Sequence, residues 1–438
     1  MMENISISQT LAAIKSEILN GENHDKREFI RKLLNYPAMM VPSVQESIIN
    51  ALITFLPKDS SLIDPFMGAG NTLVAGMKYG FNVFGQDINP LSVLIGQVKT
   101  ACYDEKELHE ANVRIQAKIK EDVTTIIDVN FKNIGKWFKP EVLCELSRIR
   151  RAILTENDYK IRKFFWVTLA ETVRLTSNDR TSTFKMHIRS EEDINTRSIS
   201  PIKIFANTCK KSIADICDFM SVLNKNKRLT GCAYNKKAEV IWGNSLDSIK
   251  TDKKYQLLLT SPPYGDNHTT VTYGQFSYLP LQWIPVEEID ITISINYRDI
   301  ITQIDTESLG GSSKPRIWIE EELFAKSKTL KNYFDSLDKS EKLRAQKVIN
   351  FTDDLDKTID KILLKLDKNA FQVWTLGNRY VNNREVKNDL IITELLHSKG
   401  AEIITDLHRD ILSKRMPGRN NFSNTMTKEK ILIFKTCS

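Results

Sequence analysis

The sequence predicts an α/β chain in which a doubly wound, Rossmann-like sheet is interrupted by a helical insertion. Three observations carry this. Residues 61–89 run strand, glycine turn, helix, strand, the opening of a parallel sheet covered by helices. Residues 103–230 lose the strand rhythm and keep only helical spacing. Short apolar strands then resume at Ala238–Trp242 and Tyr255–Thr260. At 438 residues the chain exceeds one minimal domain. With 41% hydrophobic and 27% charged residues it has enough apolar material for a sizeable core, which excludes disorder as its main state.

The elements follow in order. Residues 1–35 read as a helical lead through Ile14, Ile18 and the Phe29-Ile30/Leu33-Leu34 cluster, broken by Tyr36-Pro37. Val44–Phe55 is an amphipathic helix, with Ser43 as N-cap, Glu46 completing a capping box and Pro57 ending it. Ser61–Ile63 is a strand, Thr72–Tyr79 a helix stopped by Gly80, and Asn82–Gln86 a strand ending at Asp87. Glu141–Leu154, Ile161–Arg174 and Ile202–Leu223 are helical, with a polar loop at 175–198. Residues 285–339 are largely polar, with a loop around Gly310, Gly311 and Pro315. Ser340–Leu366 is a long helix with Ser340 as N-cap. Ala370–Leu376 is a strand, Asp389–Lys399 a helix, and Glu402–Leu407 and Ile431–Lys435 are closing strands.

Lys and Arg number 62 against 55 Asp and Glu, a net charge of +7. The excess is local: residues 131–211 hold 17 basic against 9 acidic side chains, a balance of +8 that leaves the rest at −1. A basic segment on a neutral body points to a polyanionic partner there. The six cysteines, Cys102, Cys144, Cys209, Cys217, Cys232 and Cys437, form no CxxC pair and no Cys/His cluster with zinc spacing. They read as reduced thiols of a cytoplasmic protein. The N-terminal segment lacks a signal-peptide pattern. No stretch approaches the roughly 20 apolar residues of a membrane span.

DPFMGAGNT (64–72) is the first chemical signal. A loop between strand and helix presents backbone N–H groups, and Gly68 and Gly70 let a ligand approach the main chain. Asp87 ends the next strand, where an acid accepts hydrogen bonds from ribose hydroxyls. The loop is neither GxGxxG nor a Walker loop, which disfavours a dinucleotide or a nucleoside triphosphate. A nucleoside-bearing ligand remains.

TSPPYGDNHTT (260–270) is the more specific signal. An apolar strand is ended by two prolines, which donate no backbone hydrogen bonds. The Ser261 hydroxyl and the Pro262 carbonyl then offer acceptors to an amino group, Pro263 stiffens the loop, and Tyr264 offers a flat face for a base.

Together these motifs resemble the amino-methyltransferases of DNA, which transfer a methyl from S-adenosyl-L-methionine to an exocyclic amine. The Ser form of the loop is typical of the cytosine-N4 branch. The resemblance covers residues 36–100 and 236–280, and the C-terminal part loosely. It implies a class I methyltransferase sheet, with Asp64, Pro65, Phe66, Gly68, Gly70 and Thr72 in the cofactor loop. Asp87 would bind the ribose and Ile88 would lie beside the adenine. Tyr36-Pro37-Ala38 resembles the segment that closes over the methionine end. Trp242-Gly243-Asn244-Ser245 matches the strand before the catalytic one, with Asn244 where the family has Asp.

The implied organisation is a catalytic domain of residues 1–102 and 236–438, with cofactor loop 62–90 and catalytic loop 260–265. An insertion, 103–235, is the candidate for DNA recognition, and 285–339 is a second. The implied reaction is site-specific methylation of cytosine N4 in duplex DNA, with a cognate restriction endonuclease as partner and no metal. Adenine-N6 methylation and RNA guanine-N2 methylation are the alternatives, and a DNA-binding subunit that has lost catalysis is a third. Cytosine-C5 chemistry is disfavoured, because no Pro-Cys pair supplies a thiolate. Two further segments fit: the aromatic stretch 268–283 as a wall of the base pocket, and His408, Arg409, Lys414, Arg415 and Arg419 in a basic loop able to touch DNA. Trp137-Phe138 and Phe164-Phe165-Trp166 read as helical core.

Overall fold

A computed structural model describes residues 2–22, 30, 33–37, 39–182, 184–411 and 428–437. Seven strands form the main sheet: β1 (Ser61–Asp64), β2 (Asn82–Asp87), β3 (Ala238–Trp242), β4 (Tyr255–Thr260), β5 (Leu366–Leu376), β6 (Ala401–Asp410) and β7 (Lys428–Thr436). Their spatial order is β3-β2-β1-β4-β5-β7-β6. Strands β1 to β5 pair in parallel, while β7 runs antiparallel to both β5 and β6. This is the doubly wound order 3-2-1-4-5-6 with an antiparallel strand slotted between the fifth and sixth, the Rossmann-like sheet of methyltransferases. The order reverses between β1 and β4, and such a switch point is where open α/β sheets bind their ligands, at the carboxyl ends of the strands.

Alternation along each strand divides the core between two faces. Leu62, Val83, Leu257, Leu259, Val373 and Ile433 belong to one cluster, while Ile63, Phe84, Leu258, Trp374 and Phe434 belong to the other. On the first face lie α1 (Met2–Ala12), α2 (Ser16–Asn20), α3 (Pro42–Leu52), α4 (Asn71–Tyr79) and α5 (Pro90–Thr100). On the second lie the long helix Lys339–Leu363 and the helix Asn388–Ser398. Burial on both faces explains why these strands read as continuous apolar runs.

The insertion consists of α6 (Glu105–Glu121), α7 (Pro140–Leu154), α8 (Tyr159–Thr176) and α9 (Pro201–Lys225), with shorter turns between them. Its core is continuous with the first face: α8 packs on α5 and on α10 (Tyr273–Trp283). Phe138, Phe164, Phe165 and Trp166 are fully buried there, and the Trp166 indole N–H donates to Glu288 at 2.7 Å. No described helix is long and apolar enough to cross a membrane.

The structure corrects two readings of helix starts. Helix α3 starts at Pro42, whose ring presets the first-turn geometry, so Ser43 lies inside the helix and caps nothing. Glu46 pairs instead with Lys78 of α4 at 2.5 Å. The long helix begins at Lys339, not Ser340, and Asp338 forms a capping box with Glu341. Asp338→Ala should therefore lower the midpoint of chemical denaturation, and Ser340→Ala should leave it unchanged. Residues 285–339 keep the expected loop around Gly310, Gly311 and Pro315 and add short helices at Asn296–Asp299, Gln303–Glu307, Glu320–Lys326 and Lys328–Asp335. These are too short to show a helical period. Arg316 ties the segment to the long helix through Asp353, at 2.6 Å, and Asp354.

Candidate active site

The parallel pairing of β1 with β4 sets Leu62 beside Leu257 and Ile63 beside Leu258. The loops that leave these strands, 65–70 and 261–264, are therefore neighbours. The Thr260 hydroxyl ends β4 and donates to Asp64 Oδ1, at the end of β1, at 2.6 Å. One buried hydrogen bond thus joins the two motifs read from the sequence.

The glycine loop is closed on itself. Phe66 N–H donates to Asp64 Oδ1, Met67 N–H to the Gln86 carbonyl, Gly68 N–H to Asp87 Oδ2 and Gly70 N–H to the Met67 carbonyl. These four donors are taken by Asp64, by the end of the neighbouring strand and by the loop itself. Gly68 and Gly70 have φ of +49° and +71°, the left-handed region that favours glycine. A Cβ on Gly70 would also stand 3.2 Å from the Gly96 Cα.

Asp87 accepts from Gly68 N–H at 2.9 Å and from Asn89 N–H at 2.8 Å. Burial raises its carboxyl to about 6, against the pull of those bonds. Asn89 caps α5 by accepting from Leu91 N–H, and its amide donates to the Tyr36 hydroxyl at 2.9 Å and to Ser277 at 2.8 Å. Tyr36 lies over the glycine loop, stacked on Tyr273 with centroids 5.8 Å apart and edged by Phe276. Asp64 is fully buried and likewise raised by burial to about 6. Its Oδ2 meets no donor in hydrogen-bond geometry.

Thr72 accepts from the Gln45 amide at 2.7 Å, and the Pro65 carbonyl accepts from Ser245 at 2.6 Å. The Ile88 carbonyl accepts from the Trp242 indole at 2.8 Å. Asn244 is committed at both ends: its oxygen accepts from Leu246 N–H and its amide donates to the Glu307 carbonyl, each at 3.0 Å. Asp247 is exposed.

In the catalytic loop, Ser261 Oγ lies 3.2 Å from the Tyr264 hydroxyl, which donates to Glu429 Oε1 of β7 at 3.0 Å. Burial and the Glu429 carboxylate push the Tyr264 phenol well above its ordinary value. Arg409 of β6 pairs with Glu429 Oε2 at 3.4 Å. Asn388 donates to the Tyr264 carbonyl at 2.8 Å and to the Gly377 carbonyl at 3.0 Å. Arg379 bonds Asp266 at 2.9 Å, both largely buried, and lies so close that a Cβ on Gly265 would stand 1.9 Å from its Nη1. Burial alone would raise Asp266, but Arg379 and Thr269 hold it below the usual carboxylate value.

The structure brings Tyr36, Asp64, Phe66, Gly68, Asp87, Ser261 and Tyr264 into one region. Sequence reasoning missed Asn89, Arg379, Asn388 and Glu429, and gave Thr260 no role of its own. Only Asn89-Pro90 carried a local signal, as a helix start directly after Asp87. Arg409 is corrected: it lies on β6, is buried, and serves Glu429 rather than a phosphate. His408 is on the same strand, and Lys414, Arg415, Arg419 and Ala38 lie outside the described residues. Of the aromatic stretch, Tyr273 and Phe276 cover Tyr36, while Tyr278 and Trp283 pack on Phe131 and Phe138 of the insertion. Away from this site, Glu105, His109 and Cys217 bring donor atoms within 4.8 Å of one another. No spacing announced that group, because Cys217 comes from a different helix.

A buried and a half-buried carboxyl beside four occupied loop donors suit a cationic ligand better than a phosphate. S-adenosyl-L-methionine, with a sulfonium and an ammonium, fits these two acids.

No family model matches the chain. It is 31% identical over 437 residues to the type II methyltransferase M.MvaI of Kocuria varians, covering 96% of this chain and 94% of that protein. It is 35% identical over 114 residues to M.MjaII of Methanocaldococcus jannaschii, covering 24% and 22%. With M.BsoBI of Geobacillus stearothermophilus, another type II methyltransferase, it shares 24% over 295 residues, covering 59% and 56%. Among solved structures, the rRNA methyltransferase aviRa of Streptomyces viridochromogenes aligns over 98% of this chain and 92% of that one, at 9% identity and a TM-score of 0.31. By its full-length similarity to M.MvaI, joined to a sheet that places the two methyltransferase motifs side by side, the chain belongs to the type II methyltransferases.

Proposed function

We propose that the protein methylates the exocyclic N4 of cytosine at a specific sequence in duplex DNA, as the modification half of a restriction–modification system. The observation that carries this is the Thr260–Asp64 bond, which holds a cofactor-type loop against an amine-accepting Ser-Pro-Pro-Tyr loop. S-adenosyl-L-methionine supplies an electrophilic methyl on a sulfonium. Ser261 Oγ and the Pro262 carbonyl accept the two amino hydrogens, which draws the nitrogen lone pair out of conjugation with the ring. Tyr264, fixed at its hydroxyl and its carbonyl, offers its ring to the flipped base. Catalysis is then positioning and electrostatics, with no covalent enzyme intermediate. Methyl transfer to duplex DNA but not to transfer RNA, in parallel assays with labelled cofactor, is the expected result. Transfer to RNA alone would contradict the reading.

Asp64 and Asp87 give this reading a pH signature. Each is raised from 3.8 to about 6. The proton is lost as pH rises through 6, which creates the acceptors a cationic cofactor needs. Cofactor affinity by calorimetry should rise between about pH 5 and 7 and then level. In the free protein the same two groups should lose stability over about pH 4 to 6, because the folded state holds their protons longer than the unfolded state does.

Several arginines of the basic segment are committed within the protein. In the basic segment, Arg151 pairs with Asp122 and Asp128, Arg162 with Glu288 and Arg174 with Glu171. Residues 184–189 reach the active-site helix, where Met186 N–H donates to Gln275 and Phe184 edges Phe276. Arg180, just before them in the chain, is exposed. Arg180→Glu should weaken DNA binding and reduce the slope of log affinity against log salt by about one to two. An unchanged slope over a salt titration would remove this segment from the interface.

A further inference from the structure

The contacts around Tyr264 fix more than its position. A phenol has one proton, and a carboxylate paired with an arginine accepts hydrogen bonds but donates none. The Tyr264 proton therefore goes to Glu429 Oε1, 3.0 Å away. The remaining contact, 3.2 Å between Tyr264 Oη and Ser261 Oγ, then has a single polarity: Ser261 donates and Tyr264 accepts. With its proton turned inward, Ser261 shows only lone pairs outward. We infer that Glu429, held by Arg409, is a positioning residue that orders the protons along Glu429–Tyr264–Ser261, so that Ser261 meets the substrate amine as an acceptor.

The inference rests on the proposed amine methylation and deepens it. It gives β6 and β7 a part in the chemistry, since Glu429 lies 165 residues beyond Tyr264 in sequence. The raised phenol of Tyr264 is consistent with it, because a tyrosine that keeps its proton stays a donor to Glu429. Without Glu429 the Ser261 hydroxyl could turn its proton toward the amine, where two donors would face each other.

The test is a double-mutant cycle of Glu429→Gln and Tyr264→Phe in the full chain, read by kcat, by the KM for duplex DNA and by cofactor Kd. The amide that Glu429→Gln introduces donates to the phenol oxygen and reverses the chain. This variant should lower kcat at least about tenfold, with KM and cofactor Kd within about twofold of wild type. Unchanged cofactor Kd also reports that the site is folded. In the Tyr264→Phe background, where the chain is already cut, Glu429→Gln should cost no further kcat. A Glu429→Gln enzyme with wild-type kcat, or the same loss in both backgrounds, overturns the relay while leaving the methylation reading intact. A wild-type protein that methylates no duplex DNA overturns that reading, and the relay's purpose with it.

Discussion

Ser261→Ala is expected to lower kcat for DNA methylation by about a hundred- to a thousandfold, the cost of removing one preorganised hydrogen-bonding group from a charge-developing site. The affinity for S-adenosyl-L-methionine should stay within about twofold, because the Ser261 hydroxyl bonds Tyr264, whereas it is Thr260 that ties this loop to Asp64. Asp87→Ala should do the reverse. It removes the acceptor of Gly68 N–H and Asn89 N–H, so the loop loses its anchor and the cofactor its candidate ribose partner. Cofactor Kd should rise with kcat at saturation less affected. Calorimetry and single-turnover rates separate the two. Equal losses in both quantities for both variants would show that the assigned roles are wrong.

Asp266→Ala is expected to be the most destabilising single change near the site, by about 3–5 kcal/mol. It strands the Arg379 guanidinium, whose side chain is only 9% exposed and whose Nε and Nη2 already lack partners. Chemical denaturation should show the loss. The double variant Asp266→Ala/Arg379→Met, which removes the stranded charge, should recover a large part of it. A single variant as stable as wild type would mean that the pair does not anchor the catalytic loop.

The parts of the fold legible in the sequence were those with a local cause. DPFMGAGNT followed by Asp87 marks one strand–loop–helix–strand unit, and all four pieces stand where the spacing puts them. Tyr255–Thr260 was legible because it is apolar and is cut off by two prolines. Helix starts were misread where two capping signals competed: Pro42 against Ser43, and Asp338 against Ser340. The active site was half legible. The residues that face the ligand sit in short motifs, whereas those that hold the motifs in place come from β6, β7 and residues 379–388, more than a hundred residues away from the loop they brace. Such partners have no spacing rule. Arg409 shows the hazard: a basic residue in a basic stretch reads as a phosphate contact until the strand that buries it is seen.

Net charge behaved similarly. The excess in residues 131–211 is real, yet several of its arginines are spent on internal carboxylates. What remains exposed beside the active-site helix, Arg180 among it, is a smaller and more specific surface.

The most direct test is to incubate purified protein with duplex DNA and methyl-labelled S-adenosyl-L-methionine, digest the DNA to nucleosides and identify the labelled one. Label in N4-methylcytosine is the predicted result. Label in N6-methyladenine alone would keep the sheet, the cofactor site and the Ser-Pro-Pro-Tyr loop but contradict the proposed target base, and no label in DNA at all would contradict the proposed function.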